Sequence, residues 1–175
     1  MKRIILLGYM GSGKTTIGKA LSLALNMRFY DLDWYIENRM RKTIAHIFSE
    51  RGEEGFRKIE YNMLHEVCEF EDVIISCGGG TPCHFDNMDY MNRQGETVYL
   101  KALPEVLYGH LSMGRVVRPL LGGKTQAELL AHIREHLVQR ETFYQKAKHT
   151  LDVSLMDDYE KIKISVQKLR KILNL

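Results

Sequence analysis

Arg3-Ile4-Ile5-Leu6-Leu7 runs directly into Gly8-Tyr9-Met10-Gly11-Ser12-Gly13-Lys14-Thr15, and this junction decides the fold. An unbroken apolar run of that length is the signature of a strand buried on both faces. The residues after it have the spacing G-x-x-x-x-G-K-[ST]. Glycines let backbone N–H groups turn inward around phosphate oxygens, Lys14 adds a cation for the β- and γ-phosphates, and the Thr15 hydroxyl can ligate Mg²⁺. The segment that follows places Ile17, Ala20, Leu21, Ala24 and Leu25 on one helical stripe, so its amino end points at the bound anion. Gly11, Ser12, Gly13, Lys14, Thr15 and Thr16 are therefore candidates to hold a nucleoside triphosphate.

Outward from this unit, apolar runs recur at Ile4–Leu7, Arg28–Tyr30, Val73–Cys77, Thr97–Leu100 and Leu151–Ser154. Segments of helical period separate them: Thr15–Leu25, Glu53–Glu69, Thr125–Lys148 and Tyr159–Leu173, with Thr43 able to cap a shorter helix through Ile44, Ile47 and Phe48. Such alternation predicts an α/β fold, a parallel sheet with helices on both faces. The 175 residues, 45% hydrophobic and 27% charged, suit one domain with a sizeable core. A net charge of +3 favours small anions at least as much as nucleic acid, and no basic tract is interleaved with aromatics as single-strand binders require. Cys68, Cys77 and Cys83 lack metal or disulfide spacing, which suits a reducing cytoplasm. No signal peptide and no membrane span are expected.

In open α/β sheets ligands gather at the carboxyl ends of the strands, which directs attention to three places. Asp31-Leu32-Asp33 is expected to set two carboxylates on the same side of an extended segment. One could hold Mg²⁺ through water while the other meets a hydroxyl that receives a phosphoryl group; acidic residues there also commonly cap the next helix. Gly78-Gly79-Gly80 follows the third run and leaves room for a ligand against bare backbone. Arg57 has two possible carboxylate partners on its own helix, Glu60 three residues on and Glu53 four residues back, and an arginine so held is suited to a substrate carboxylate. Ser112–Lys124, with Gly114, Gly122, Gly123 and three cations, reads as a flap that could bring Arg118 to the transferring phosphoryl group. His132-Ile133-Arg134-Glu135-His136 spells H-x-x-E-H, a zinc pattern that lacks an obvious third ligand.

These motifs together resemble those of the shikimate kinases. The resemblance runs through Gly8–Thr15, Asp31-Leu32-Asp33, Ile47-Phe48, Gly52–Glu60, Ser76–Gly80, Arg118-Pro119-Leu120-Leu121, and Arg140 with Tyr144. It implies a three-layer α/β/α P-loop kinase fold with a five-stranded parallel sheet of order 2-3-1-4-5. It further implies one domain over residues 1–175, with an acceptor-binding region at about 31–60 and a lid at about 112–125. The implied reaction is MgATP-dependent phosphorylation of the 3-hydroxyl of shikimate, in the route to chorismate and aromatic amino acids.

By the same resemblance Lys14, Asp33 and Arg118 are catalytic, and Thr15 and Asp31 hold Mg²⁺. Arg118 also reaches the nucleotide. Asp33, Arg57, Glu60, Gly78, Gly79, Gly80 and Arg140 bind the acceptor, with Glu60 orienting Arg57. ATP and shikimate are the expected partners, and the chain is expected to be a cytoplasmic monomer that engages neither nucleic acid nor membrane. Rival readings are a gluconate or nucleoside monophosphate kinase of the same fold, or a noncatalytic nucleotide-binding module. The sequence departs from the family pattern before the lid motif, where Leu111 and Ser112 fall and Arg115 is the nearest cation, and at Leu155-Met156-Asp157-Asp158, which carries no arginine for adenine.

Overall fold

The computed structural model describes residues 2–113, 125–154 and 158–175. Five strands form one parallel sheet in the order β2-β3-β1-β4-β5: β1 (Arg3–Leu7), β2 (Arg28–Asp31), β3 (Val73–Ser76), β4 (Glu96–Lys101) and β5 (His149–Asp152). The α/β architecture and the sheet order are as expected. Residues Ile4 to Leu7 and all of β3 are buried, because helices cover both faces of the central strands. Their side chains and those of α1 (Lys14–Leu25) form the middle of a continuous core, in which Ile17 and Leu21 are fully buried.

The remaining helices are α2 (Leu32–Met40), α3 (Ile44–Cys68), α4 (Asn87–Gln94), α5 (Pro104–Met113), α6 (Gln126–Tyr144) and α7 (Tyr159–Ile172). Three of them, α2, α4 and α5, carry no legible periodicity in the sequence. Leu32 and Ile36, one turn apart, are the fully buried residues of α2, and α4 is mostly polar around buried Met88, Tyr90 and Met91. The placement of Asp31-Leu32-Asp33 in an extended segment is corrected here: the chain enters α2 at Leu32, and Asp31 is its N-cap. The last strand begins two residues earlier than its apolar run, since Glu96 accepts a hydrogen bond from the His149 ring at 2.7 Å and pins the polar start of this edge strand. Correspondingly α6 ends at Tyr144 rather than Lys148, and the Lys148 N–H donates to the Thr97 hydroxyl.

Helix α3 is two helices joined at Gly52. Thr43 caps the first, its hydroxyl accepting from the His46 N–H, and the break comes where Gly52 adopts φ 66°, ψ −176°. That region of backbone space is essentially reserved for glycine. The bend lets Ile47 and Phe56 both reach the core, and Phe48 stacks on Phe56 at 4.5 Å between ring centroids. It therefore sets the direction of the turn that carries Arg57 and Glu60.

No atom lies within 4 Å of the position a Cβ would take on Gly52, so an alanine there would meet strain without a clash. Gly52→Ala is expected to lower the free energy of unfolding by about 1–3 kcal/mol in urea titration. An unchanged midpoint would show that the bend can be made without glycine.

Candidate active site

The carboxyl ends of β1, β2 and β3 open on a cleft of about 460 Å³. This volume lies in the range of small-ligand sites. Met10, Gly11, Gly13, Lys14, Thr15, Thr16, Asp31, Asp33, Trp34, Ser76, Cys77, Gly78, Gly79 and His110 line it. The phosphate loop forms one wall. Gly13 is in the left-handed region at φ 82° and offers no side-chain cap to α1, so the first N–H groups of that helix face the cleft. Lys14 folds over the loop and donates to the Gly8 and Tyr9 carbonyls at 2.9 Å each. From α5, His110 Nδ1 lies 2.8 Å from the Gly11 carbonyl and braces the loop. Ser12 is buried with it.

Asp31 joins donor loop and acceptor side. One of its oxygens accepts from the Thr15 hydroxyl at 2.8 Å, and the other accepts from the N–H groups of Asp33 and Trp34 at 3.2 and 3.5 Å. The capping reading and the functional reading are therefore both realised in one side chain. Asp33, in the first turn of α2, keeps its carboxylate on the cleft through the helix rather than through strand alternation.

Opposite lies the glycine turn after β3. A Cβ on Gly78 would stand 3.1 Å from Asp33 Oδ1, 3.1 Å from Thr81 Oγ1 and 3.2 Å from Glu60 Oε1. On Gly80 it would collide with the Arg57 guanidinium, 2.5 Å from Nη2. The turn is bare because these side chains occupy the space a Cβ would need. Arg57 donates to Glu60 at 2.8 Å and also to Glu53 at 3.3 Å, so both carboxylates that the sequence offered are used. They are not equal: Glu60 is 1% exposed, whereas Glu53 is largely in water. Glu60's second oxygen accepts from the buried Thr81 hydroxyl at 2.6 Å, and the Thr81 carbonyl accepts from Asn87.

Arg140 and Tyr144, one turn apart on α6, close the site. Tyr144 donates to the Gly79 carbonyl at 2.6 Å. Burial drives the Tyr144 phenol well above its usual range, so it stays a donor at any physiological pH. Cys77, just before the glycine turn, is buried, with its Sγ 3.7 Å from the Met91 sulfur. Burial raises its thiol above the ordinary range, which favours the protonated form there. His84, just past the 3-10 turn Thr81–Cys83, is pushed down by burial and then by the Arg57 guanidinium.

The structure thus brings together Lys14, Thr15, Asp31, Asp33, Gly78 and Gly79 in the cleft, with Arg57, Glu60, Gly80 and Arg140 around the glycine turn. Arg115 and Arg118 and most of the expected lid lie outside the described residues, as do Leu155, Met156 and Asp157. Thr81, His110 and Trp34 escaped sequence reasoning; only Thr81, directly after three glycines, had a visible signal. His132 and His136 are neighbours at 4.0 Å between rings, but among the described residues no three metal-binding side chains cluster. Nor is any described helix long and apolar enough to cross a membrane.

A 2-3-1-4-5 parallel sheet with a glycine-lysine phosphate loop after its central strand, facing a carboxylate and arginines, defines a P-loop small-molecule kinase. The sequence model of the family described as shikimate kinase matches residues 10–172, and the chain belongs to that family. A shikimate kinase of Bacteroides fragilis is 55% identical over 175 residues, covering 100% of this chain and 98% of that protein. The crystal structure of shikimate kinase from Bacteroides thetaiotaomicron superposes with a TM-score of 0.97 at 50% identity, over 99% of both chains. That of the Acinetobacter baumannii enzyme in complex with shikimate gives 0.84 at 29% identity, over 99% of this chain and 94% of the other.

Thr81→Val would take the hydroxyl from a buried carboxylate and leave the side chain's bulk in place. The expected loss is about 1.5–3 kcal/mol of unfolding free energy, read from urea denaturation. A variant as stable as the parent would mean that Glu60 does not depend on this donor.

Proposed function

We propose that this chain transfers the γ-phosphoryl group of ATP to the 3-hydroxyl of shikimate, releasing shikimate 3-phosphate and ADP. Family membership supports the overall reaction, and one observation carries the acceptor side: a buried Glu60 holds Arg57 against bare Gly80, beside an aspartate that shares its cleft with the phosphate loop. Shikimate is a carboxylate bearing ring hydroxyls. A fixed guanidinium suits the first feature and Asp33 the second.

In this reading the loop N–H groups from Gly11 to Thr16, with Lys14, hold the β- and γ-phosphates. Thr15 and Asp31 would hold Mg²⁺, because two hard oxygens side by side suit a small divalent ion. Bound there, the ion would offset the charge of the transferring group. Asp33 aims the 3-hydroxyl, whose oxygen attacks the γ-phosphorus while the bond to the β-phosphate oxygen breaks and ADP departs with the electron pair. The proton passes to Asp33 or onward to water. Phosphoryl transfer needs chiefly alignment and charge stabilisation, which are what this set of side chains supplies.

Arg57, Arg140 and the Gly78, Gly79 and Gly80 backbone bind the acceptor, with Glu60 orienting Arg57. Arg118, on the expected lid, would meet the phosphoryl group as the lid excludes water. The region from about 31 to 60 is the acceptor-binding part of a single domain. Three free thiols support a reducing, cytoplasmic setting.

A coupled assay is expected to show ADP release from MgATP that depends on shikimate; turnover of gluconate or a nucleotide instead would refute the assignment. Arg57→Ala is expected to raise the KM for shikimate about 10- to 100-fold and to leave that for ATP nearly untouched. Equal damage to both would point to a structural role. Asp33→Asn, nearly isosteric, should cut kcat by about 10²–10⁴ with the fold intact by circular dichroism. Near-normal turnover would remove Asp33 from the mechanism.

A further inference from the structure

His136, Arg140 and Tyr144 recur at every fourth position of α6 and so form one stripe along the helix. Each touches the site. His136 Nδ1 lies 3.4 Å from the Tyr9 hydroxyl, with the two rings edge-on. The Arg140 guanidinium carbon stands 5.5 Å from the centroid of the Tyr9 ring. Tyr144 reaches the Gly79 carbonyl. Two of the three contacts converge on Tyr9, which is 2% exposed and belongs to the phosphate loop. Its carbonyl accepts from Lys14 at 2.9 Å. One residue therefore meets the donor-side cation through its backbone and the acceptor-side cation through its ring.

We propose that Tyr9 is a positioning residue for the acceptor, its aromatic face holding the Arg140 guanidinium in the pose that meets the substrate. This rests on the reading of Arg140 as an acceptor ligand. An arginine on a helix has many rotamers to lose when it binds. A π face beneath the guanidinium removes much of that freedom before the ligand arrives, and in a buried setting the attraction is stronger than in water. The ring itself is kept from turning by His136 at its hydroxyl and by its burial in the core. The H-x-x-E-H spelling thereby acquires a use that needs no metal: its second histidine braces a phosphate-loop tyrosine. Because Tyr9 meets Lys14 through its carbonyl and Arg140 through its ring, one residue links the two halves of the site.

The test uses the full chain and steady-state kinetics with both substrates. Tyr9→Leu keeps an apolar filler without a π face, and it is expected to raise the KM for shikimate roughly three- to thirtyfold, with a smaller change for ATP. Tyr9→Phe keeps the ring and is expected to have less than about a third of that effect. In an Arg140→Ala background, adding Tyr9→Leu should change the shikimate KM by no more than about twofold, because the residue acts through the arginine. If Tyr9→Leu folds poorly, Tyr9→Met fills the same space flexibly and takes its place. The proposal is overturned by an equal rise with and without Arg140, by equal rises for ATP and shikimate, or by Phe and Leu having the same effect. An Arg140→Ala enzyme with unchanged shikimate KM would overturn the assignment of Arg140 itself, and this proposal with it.

Discussion

The acceptor half of the site depends on one buried carboxylate. Glu60 is 1% exposed and hydrogen-bonds Arg57 with one oxygen and Thr81 with the other. An isolated carboxylate at that depth would be strongly disfavoured, and each partner answers part of the cost. The arrangement also has a geometric result. The guanidinium on one side and the hydroxyl on the other hold the glycine turn between them, so the turn has no room for side chains and presents backbone to the cleft. Arginine pose, bare turn and local packing are consequences of the same buried charge.

The donor half is built on a different principle. Backbone rather than a carboxylate organises it: a strand ends, a glycine loop turns under the buried Lys14, and a helix begins without a side-chain cap, leaving N–H groups that suit an anion. Two links tie this half to the other. Asp31 receives the Thr15 hydroxyl while capping α2, which positions Asp33. Tyr9 meets Lys14 through its carbonyl and Arg140 through its ring. Alignment of two substrates then follows from contacts within a rigid scaffold, which suits a reaction whose barrier is lowered mainly by positioning and charge.

The legible parts of this chain were those in which local pattern and tertiary role coincide. A doubly buried strand must be apolar throughout, so β1 and β3 were plain, and a phosphate loop must have its glycines and lysine at fixed spacing. The start of the edge strand β5 is not legible locally, because Glu96 and Thr97, some 50 residues earlier in the chain, fix where it begins. The start of α2, at Asp31-Leu32-Asp33, looks extended in the sequence because two aspartates at a strand end look alike whether they alternate or cap. Thr81 and Tyr144 were structurally opaque for a related reason: their partners Glu60 and Gly79 are 21 and 65 residues away. For Arg57 the local pattern gave two carboxylates and no means of ranking them, since the difference between Glu53 and Glu60 is burial.

The claim that a buried carboxylate organises the acceptor site can be tested most directly through Glu60→Gln, with shikimate binding followed by the fluorescence of Trp34. That residue lines the cleft and is the single tryptophan of the chain. Neutralising Glu60 keeps its shape and removes the charge that fixes Arg57. The account predicts that shikimate affinity falls by at least about tenfold while the affinity for a non-hydrolysable ATP analogue stays close to that of the parent. Unchanged shikimate affinity, or equal loss of both ligands, would contradict it.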